Sequence, residues 1–427
     1  MLQRIRLDPD GLITQTERGS MRRIRLAREQ VNEIDLYGVA ALRAIMPHQP
    51  SISEFFDSNG RLTARFEKAM DDADCLNRPL RIYYGIEPRC NLHCEYCGPR
   101  DWHSRFVPGG QQQERFLLRE IAESGAFQVQ LTGGEIGLRG FDLLGILNDA
   151  QELGLAVILA TNGVWSCIDR KDAFLVALAN FSNIIQTKIS IDGTPEFHDS
   201  VRGAGTYAET VDTLARVSAC GLSPRISATV FRESCDVDNL EHLVMLAQKH
   251  DAALQVIPVR ATGRATNMKL HAPSRDQLLA YTQYATRLRR ETGASISFNF
   301  DILEPDHSVP VFDVHRPVSC GAPLWGVHVS HQGEVFPCGF SQDVGAGAFL
   351  AGVVSRERSL LDIWLHSEVL MRVRSAGKDP ECQGCGYYGQ GCWGGCWVVG
   401  WLETGRVAGM DPYCFRSYMP SGGLKSA

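Results

Sequence analysis

The sequence predicts an α/β protein: a core of strand–helix repeats building a parallel sheet, a small α+β module before it and a cysteine-rich part after it. Three observations carry this. Between Arg81 and about Phe300, six apolar runs alternate with amphipathic segments; the first 78 residues mix short alternating stretches with helical patterns; and from about Asp301 the chain becomes rich in Gly, Cys and Trp. At 427 residues the chain exceeds one ordinary core, and it divides into parts 1–78, 79–300 and 301–427.

In the first part, alternation such as MRRIRLA reads as strand. EIDLYGVAALRAI and ISEFFD read as helices, and ARFEKAMDDA as an amphipathic segment. In the second part the strands are expected at Arg81 to Ile86, Phe127 to Leu131, Ala156 to Ala160, Ile184 to Ile191, Arg225 to Phe231 and Leu254 to Val259. FLLREIAES, LLGILNDAQELG, DAFLVALAN, TVDTLARVSACG and NLEHLVMLAQKH lie between them. Connections of this length make the strands parallel, and ligand sites in such sheets gather at the C-terminal strand ends. In the third part GVHVSHQGEVFPC reads as a hairpin turning at HQG, and SLLDIWLHSEVLMRVRSA as an amphipathic segment. Pro108 to Gln113 and Glu304 to Pro317 read as flexible joints.

Composition narrows the function classes. A net charge of −6 gives no global attraction to nucleic acid or anionic lipid, and the basic runs Arg22-Arg23 and Arg287-Leu288-Arg289-Arg290 read as solvated faces. No apolar run is long enough to span a bilayer, and MLQRIRLDPDG lacks the features of a secretory signal, so a cytoplasmic protein without a membrane partner is expected. In that setting fourteen cysteines argue for metal binding over disulfides. Cys75, Cys167, Cys220 and Cys235 stand singly and read as plain buried residues.

The ten others form two groups. Cys90, Cys94 and Cys97 follow the first predicted strand at the spacing Cys-x3-Cys-x2-Cys, which lets three sulfurs converge on one cluster and leaves one iron of four open. A zinc site completed by His93 is the alternative, but that histidine lies between the cysteines and would hardly reach the same metal. The following strand ends carry Leu131-Thr132-Gly133-Gly134-Glu135, then Thr161-Asn162-Gly163, then Ser190-Ile191-Asp192-Gly193, with His198, Asp199 and Arg202 downstream. Each is ordinary turn chemistry alone. His198 and Asp199 suit a turn cap as well as a substrate contact.

In order, the cysteine triplet, Gly-Gly-Glu and Ser-Ile-Asp-Gly resemble the radical S-adenosylmethionine (SAM) superfamily, over roughly Arg81 to Val259. The resemblance implies a partial (β/α)6 TIM-like barrel. It implies a [4Fe-4S] cluster on Cys90, Cys94 and Cys97 whose open iron takes the amino and carboxylate groups of SAM. Gly133, Gly134 and Glu135 would line the methionine ammonium, Ser190 and Asp192 would face the carboxylate or ribose, and Arg202 is a further candidate for the carboxylate. Tyr96 would lie against adenine, and Asn162 joins this cofactor-binding set. The implied chemistry is reductive cleavage of SAM to a 5′-deoxyadenosyl radical that takes a substrate hydrogen, with electrons from flavodoxin or ferredoxin.

The second group, Cys320, Cys338, Cys382, Cys385, Cys392, Cys396 and Cys414, resembles the SPASM extension of these enzymes, from Ser319 to Cys414. Six residues separate Cys385 from Cys392, where five is usual. Zinc knuckles are the alternative reading of the residues themselves. The resemblance implies two auxiliary [4Fe-4S] clusters, one on Cys382, Cys385, Cys392 and Cys414, the other on Cys320, Cys338 and Cys396 with Asp313, His315 or substrate as fourth ligand.

Within the superfamily this extension resembles that of peptide-modifying enzymes, and the first 78 residues faintly resemble a leader-peptide recognition module. The expectation is oxidative modification of a ribosomal peptide: a cross-link, a thioether or a dehydrogenation. The rivals are a radical SAM dehydrogenase or rearranging enzyme acting on an amino-sugar or cyclitol, and a non-catalytic iron–sulfur carrier or zinc scaffold. No catalytic acid or base stands out.

Overall fold

The computed structural model describes residues 2–8, 11–16, 21–25, 65–67, 78–94, 96–97, 110–260, 262, 272–298, 322–344, 347–376, 380–384, 395–409, 411 and 414. The first sheet joins β1 (Leu2–Asp8), β2 (Gly11–Thr16), β3 (Met21–Arg25) and β4 (Arg65–Glu67) in the order β3-β2-β1-β4. The first three strands are antiparallel and β4 runs parallel to β1. Inside the stretch expected to be amphipathic, Arg65–Glu67 is therefore strand. Its pairing with Arg4, Ile5 and Arg6 overrides the local pattern. The helices expected over 33–45 and 52–57 lie outside the described residues.

The second sheet has ten strands. Its heart is the predicted set of six: β5 (Arg81–Glu87), β6 (Gln128–Gly133), β7 (Ala156–Thr161), β8 (Ile184–Ser190), β9 (Pro224–Val230) and β10 (Ala253–Pro258). All are parallel, each beside the next. Helices α1 (Gly110–Glu123), α2 (Asp142–Glu152), α3 (Lys171–Ala179), α4 (Pro195–Arg202), α5 (Thr206–Ala219) and α6 (Val237–Lys249) form the crossovers. Alternate strand residues such as Ile82, Tyr84, Val129, Leu131, Ile189, Ile226 and Val256 are buried with Leu117, Ile121, Leu147, Leu178 and Leu243 of the helices in one apolar cluster. The expected joint at Pro108 to Gln113 is helical from Gly110 on, where α1 begins and three glutamines, good helix formers, continue it.

The sheet also exceeds the predicted six strands. After α7 (Arg275–Thr292), β11 (Ile296–Phe298) adds in parallel to β10. On the other edge β12 (Gly326–Ser330) pairs in parallel with β5, and β13 (Glu334–Phe336) and β14 (Gly352–Val353) follow antiparallel. The expected hairpin is β12–β13, turning at 331–333. The amphipathic segment beyond it is two helices, α8 (Leu360–His366) and α9 (Glu368–Ser375), because Ser367 caps the second while donating to the Ala351 carbonyl at 2.8 Å. No helix among the described residues is long and apolar enough to cross a membrane.

Candidate iron–sulfur and SAM site

The chain leaving β5 becomes the loop of Cys90, Cys94 and Cys97. Glu87, fully buried, sets the turn: it accepts from the Arg89 backbone amide at 3.0 Å and from its guanidinium at 2.8 and 2.9 Å. Cys94 is buried and the other two cysteines partly so; His93 is exposed. The Cys97 amide donates to the Cys94 carbonyl at 3.2 Å, and the Leu92 amide points at Cys90 Sγ from 3.4 Å. Among the described residues no three Cys, His, Asp or Glu side chains close on a single metal ion. Three soft thiols on one short loop, with an amide aimed at sulfur, is the donor chemistry of an iron–sulfur cluster.

The end of β6 meets this loop backbone to backbone. Gly134 donates its amide to the Glu87 carbonyl at 2.6 Å and Glu135 to the Arg89 carbonyl at 2.8 Å. A Cβ on Gly133, at φ 138°, would stand 2.3 Å from the Glu87 oxygen, and one on Gly134 2.1 Å from the Arg89 oxygen. Only glycine permits the approach. Glu135 is fully buried, and its carboxylate accepts from the Gly137 amide (2.7 Å), Thr161 Oγ1 (2.6 Å), the Asn162 amide (2.7 Å) and Trp165 Nε1 (3.1 Å). Burial raises its pKa, and those donors offset part of the rise. The carboxylate is thus engaged by the chain's own donors across the ends of β6 and β7.

Asn162, at the end of β7, reaches back to the cysteines. Its Nδ2 donates to Asn91 Oδ1 at 2.9 Å and approaches Cys90 Sγ at 3.7 Å, while Asn91 Nδ2 donates to the Val164 carbonyl at 2.7 Å. Burial pushes the Cys90 thiol up to about 11, against the pull of the Leu92 amide, so a metal must displace its proton.

A second knot lies at the end of β8. Asp192, fully buried, accepts from Arg202 of α4 at 2.6 and 3.2 Å, from the Tyr96 hydroxyl at 2.7 Å and from the Thr229 amide at 2.9 Å. Burial would raise its pKa, but the Arg202 charge and hydrogen bond outweigh that and hold it below the usual carboxylate range. The Tyr96 ring stands edge-on to Phe231, centroids 5.1 Å apart, with the Arg202 guanidinium 5.5 Å from its own. Tyr96, Asp192 and Arg202 therefore engage one another. Ser190 sits on the inward side of β8, in register with Ser227. His198 accepts the Asp192 amide on Nδ1 at 3.3 Å, and Asp199 accepts the Gly205 and Tyr207 amides at 2.7 and 2.8 Å as a turn cap.

Near the C-terminus, Cys338 and Cys396 border one apolar cluster with Phe349 and Trp397, and Cys382 is buried in the short turn Pro380–Gln383. Asp411 accepts the Cys396 amide at 2.6 Å, and its carbonyl accepts the Cys414 amide at 3.0 Å. Arg260, just past β10, lies 3.6 Å from the same carboxylate. Cys320, Cys385, Cys392, Asp313 and His315 lie outside the described residues.

An open parallel (β/α) sheet with three thiols on the loop after its first core strand, glycine contacts from the second and a polar knot on the fourth defines a protein of the radical SAM class. Residues 320–386 match the SPASM family, an iron-sulfur cluster-binding domain. The chain is 30% identical over 353 residues to PqqA peptide cyclase of Xanthomonas oryzae, covering 79% of this chain and 88% of that one. It is 27% identical over 368 residues to the mycofactocin maturase MftC of Mycobacterium ulcerans, covering 84% and 92%. Of solved structures, Streptococcus suis SuiB bound to precursor peptide SuiA shares the fold at TM-score 0.69 and 17% identity over 97% of this chain and 99% of that one. Native anSMEcpe with bound AdoMet and Cp18Cys peptide shares it at 0.62 and 16% over 80% and 95%. The chain belongs to the radical SAM superfamily, among the peptide maturases that carry a SPASM extension, and its cofactors are iron–sulfur clusters and SAM.

Sequence reasoning missed Asn91, Trp165 and Asp411, and named Thr161 as part of a strand-end motif without its partner Glu135. Their one signal was polarity or size beside a motif residue; what matters is the spatial partner, which sequence spacing does not reveal.

Proposed function

We propose that this protein oxidatively modifies a ribosomally made peptide, by cross-linking, thioether formation or dehydrogenation. The observation that carries the reading is the cysteine loop braced by the ends of β6, β7 and β8 in a chain 30% identical to PqqA peptide cyclase. When bound, the cluster on Cys90, Cys94 and Cys97 and its SAM supply the hydrogen-abstracting radical. The chain's part is positional. Asn162 and the Leu92 amide steady Cys90, the Gly133–Glu135 segment fixes the loop, and the inward Thr132, Asn162, Ser190 and Thr229 form a polar rim below it, which suits the polar groups of SAM.

Residues 1–78 are the leader-binding part in this reading: an extended peptide would add to an open edge of the four-stranded sheet, gaining backbone hydrogen bonds. Residues 79–300 would hold SAM and residues 301–427 two auxiliary clusters, with ligands Cys382, Cys385, Cys392, Cys414 and Cys320, Cys338, Cys396. These would accept the electron left on the substrate. The bracing of Cys396 and Cys414 by one residue, Asp411, supports a shared framework. Flavodoxin or ferredoxin would supply the low-potential electron, in the cytoplasm.

The test is anaerobic reconstitution with iron and sulfide, then dithionite and SAM, with 5′-deoxyadenosine measured. Replacing Cys90, Cys94 and Cys97 together by Ala should abolish it, and undiminished formation would overturn the assignment. Co-expression with a short peptide encoded beside this gene should give a product 2 Da lighter; an unchanged peptide under active SAM cleavage would favour a small-molecule substrate.

A further inference from the structure

The barrel lumen carries charges that the reading above does not use. Side chains alternate across a strand, and the residues packed under the helices are Ile82 and Tyr84 on β5, Thr187 and Ile189 on β8, and Ile226 and Ala228 on β9, all fully buried. Arg81, Lys188 and Arg225 occupy the alternate positions and face inward. Lys188 is in register with Arg225 on the neighbouring strand. Arg81 stands three strands away on β5, and its charge acts on both.

Among the described residues none of the three has a carboxylate partner. Arg81 Nε and Nη2 donate to the neutral Gln128 at 2.9 and 2.5 Å. Among the described residues Arg225 Nε is buried with no hydrogen-bond partner, and the Lys188 side chain has neither hydrogen bond nor ion pair. Gln130 Oε1, also on an inward position, is a buried acceptor without a donor. Among the described inward positions of β5 to β10 the one carboxylate is Glu87 at the mouth, which is held by Arg89. Lys188 keeps some accessible surface while being enclosed by protein, as a group lining a cavity does. Burial first, then the charges of Arg81 and Arg225, hold it well below the usual lysine range. A desolvated, unpaired cation costs several kcal/mol, and three crowded together cost more unless an anion joins them.

We propose that Lys188 and Arg225, backed by Arg81, form an anion seat inside the barrel that takes a carboxylate of the peptide substrate, either an acidic side chain or the C-terminal carboxylate. This rests on the peptide-modifying reading. The carboxylate of SAM is a poor fit, because in that reading it is committed to the open iron at the strand ends. Lys188 lies two residues deeper on β8 than Ser190, about 6.6 Å along a strand.

The experiment uses the reconstituted full chain and small probes: N-acetyl-glutamate α-amide for a side-chain carboxylate, N-acetyl-leucine for a terminal one, N-acetyl-glutamine amide as neutral control, and inorganic phosphate. Binding is read by saturation-transfer NMR and by thermal shift. One carboxylate probe should bind and raise the melting temperature with concentration, the neutral amide should not, and which probe acts identifies the source. Lys188→Met and Arg225→Gln should each weaken that probe at least tenfold. Lys188→Met without ligand should melt higher than the parent, having lost an unpaired cation. Equal responses to amide, phosphate and carboxylate would overturn the proposal. So would full probe affinity in both variants, or a tenfold loss of SAM affinity in Lys188→Met. The peptide-modifying reading fails separately, through absence of 5′-deoxyadenosine or of a modified peptide from the unaltered chain.

Discussion

The carboxylate of Asp411 accepts the backbone amide of Cys396 at 2.6 Å while facing Arg260 from 3.6 Å, so one buried acid joins the C-terminal cysteines to the end of β10. Asp411→Ala removes the acceptor and strips Arg260 of this counter-charge. Breaking a buried pair of this kind costs about 3–5 kcal/mol. The variant should lose auxiliary-cluster iron, measured per chain, and peptide turnover, while SAM cleavage at the first cluster persists in part.

Glu135→Gln distinguishes two roles for the same residue. A carboxylate acting on the SAM ammonium would, when neutralised, raise KM for SAM at unchanged stability. A carboxylate that gathers the donors of Gly137, Thr161, Asn162 and Trp165 would leave several of them unmet, each costing about 1–3 kcal/mol. The second outcome is expected: a lower melting temperature and a loss of first-cluster iron alongside the loss of 5′-deoxyadenosine.

Gly134→Ala drives a methyl group into the Arg89 carbonyl. The backbone of the cysteine loop has to move, and a variant that folds should hold the first cluster poorly. Iron content should fall and the auxiliary-cluster signals should remain, as read by electron paramagnetic resonance after reduction.

Asn162→Ala removes the side-chain donor nearest to Cys90 Sγ. Hydrogen bonds to sulfur stabilise the reduced cluster. The first cluster should assemble with a lower reduction potential, measured by redox titration, and SAM cleavage should need a stronger reductant.

His198 gives the fold an acid-sensitive point. It is buried, Nε2 has no partner among the described residues, and burial lowers its pKa to about 4. The unfolded chain takes up a proton below about 6.5 that the folded chain refuses until about 4. Stability therefore falls as pH drops through that window, by about 3 kcal/mol, and is fully present above it. Asp192 acts lower still: its pKa is depressed below the ordinary value near 3.9, so its contribution is present above that pH and lost only on stronger acidification. His198→Asn, whose Oδ1 can accept the Asp192 amide, should flatten the loss of melting temperature between pH 6.5 and 4.5.

The six core strands were legible in the sequence to within two residues, because β-branched runs between amphipathic helices leave few alternative parallel arrangements. The strand-end residues were legible as a set, since unusual residues recurring at one end of a sheet imply convergence. Their partners were not. Glu135 is defined by donors from a different strand end, Lys188 by the lack of a counter-charge among the described residues, and Arg65–Glu67 by the strand it pairs with; none of these is a local property. Likewise the break at Ser367 depends on a carbonyl at Ala351 that no periodicity reveals.

The pairing of β12 with β5, Gly326 in register with Arg81, has a consequence for biosynthesis. More than half of the chain separates the two strands. At a synthesis rate of about 5–20 residues per second, the nascent sheet waits roughly 10–50 s with the β5 edge bare before its neighbour emerges. An exposed edge invites pairing with other chains. A protein ended before β12 should thus aggregate rather than yield a free-standing barrel.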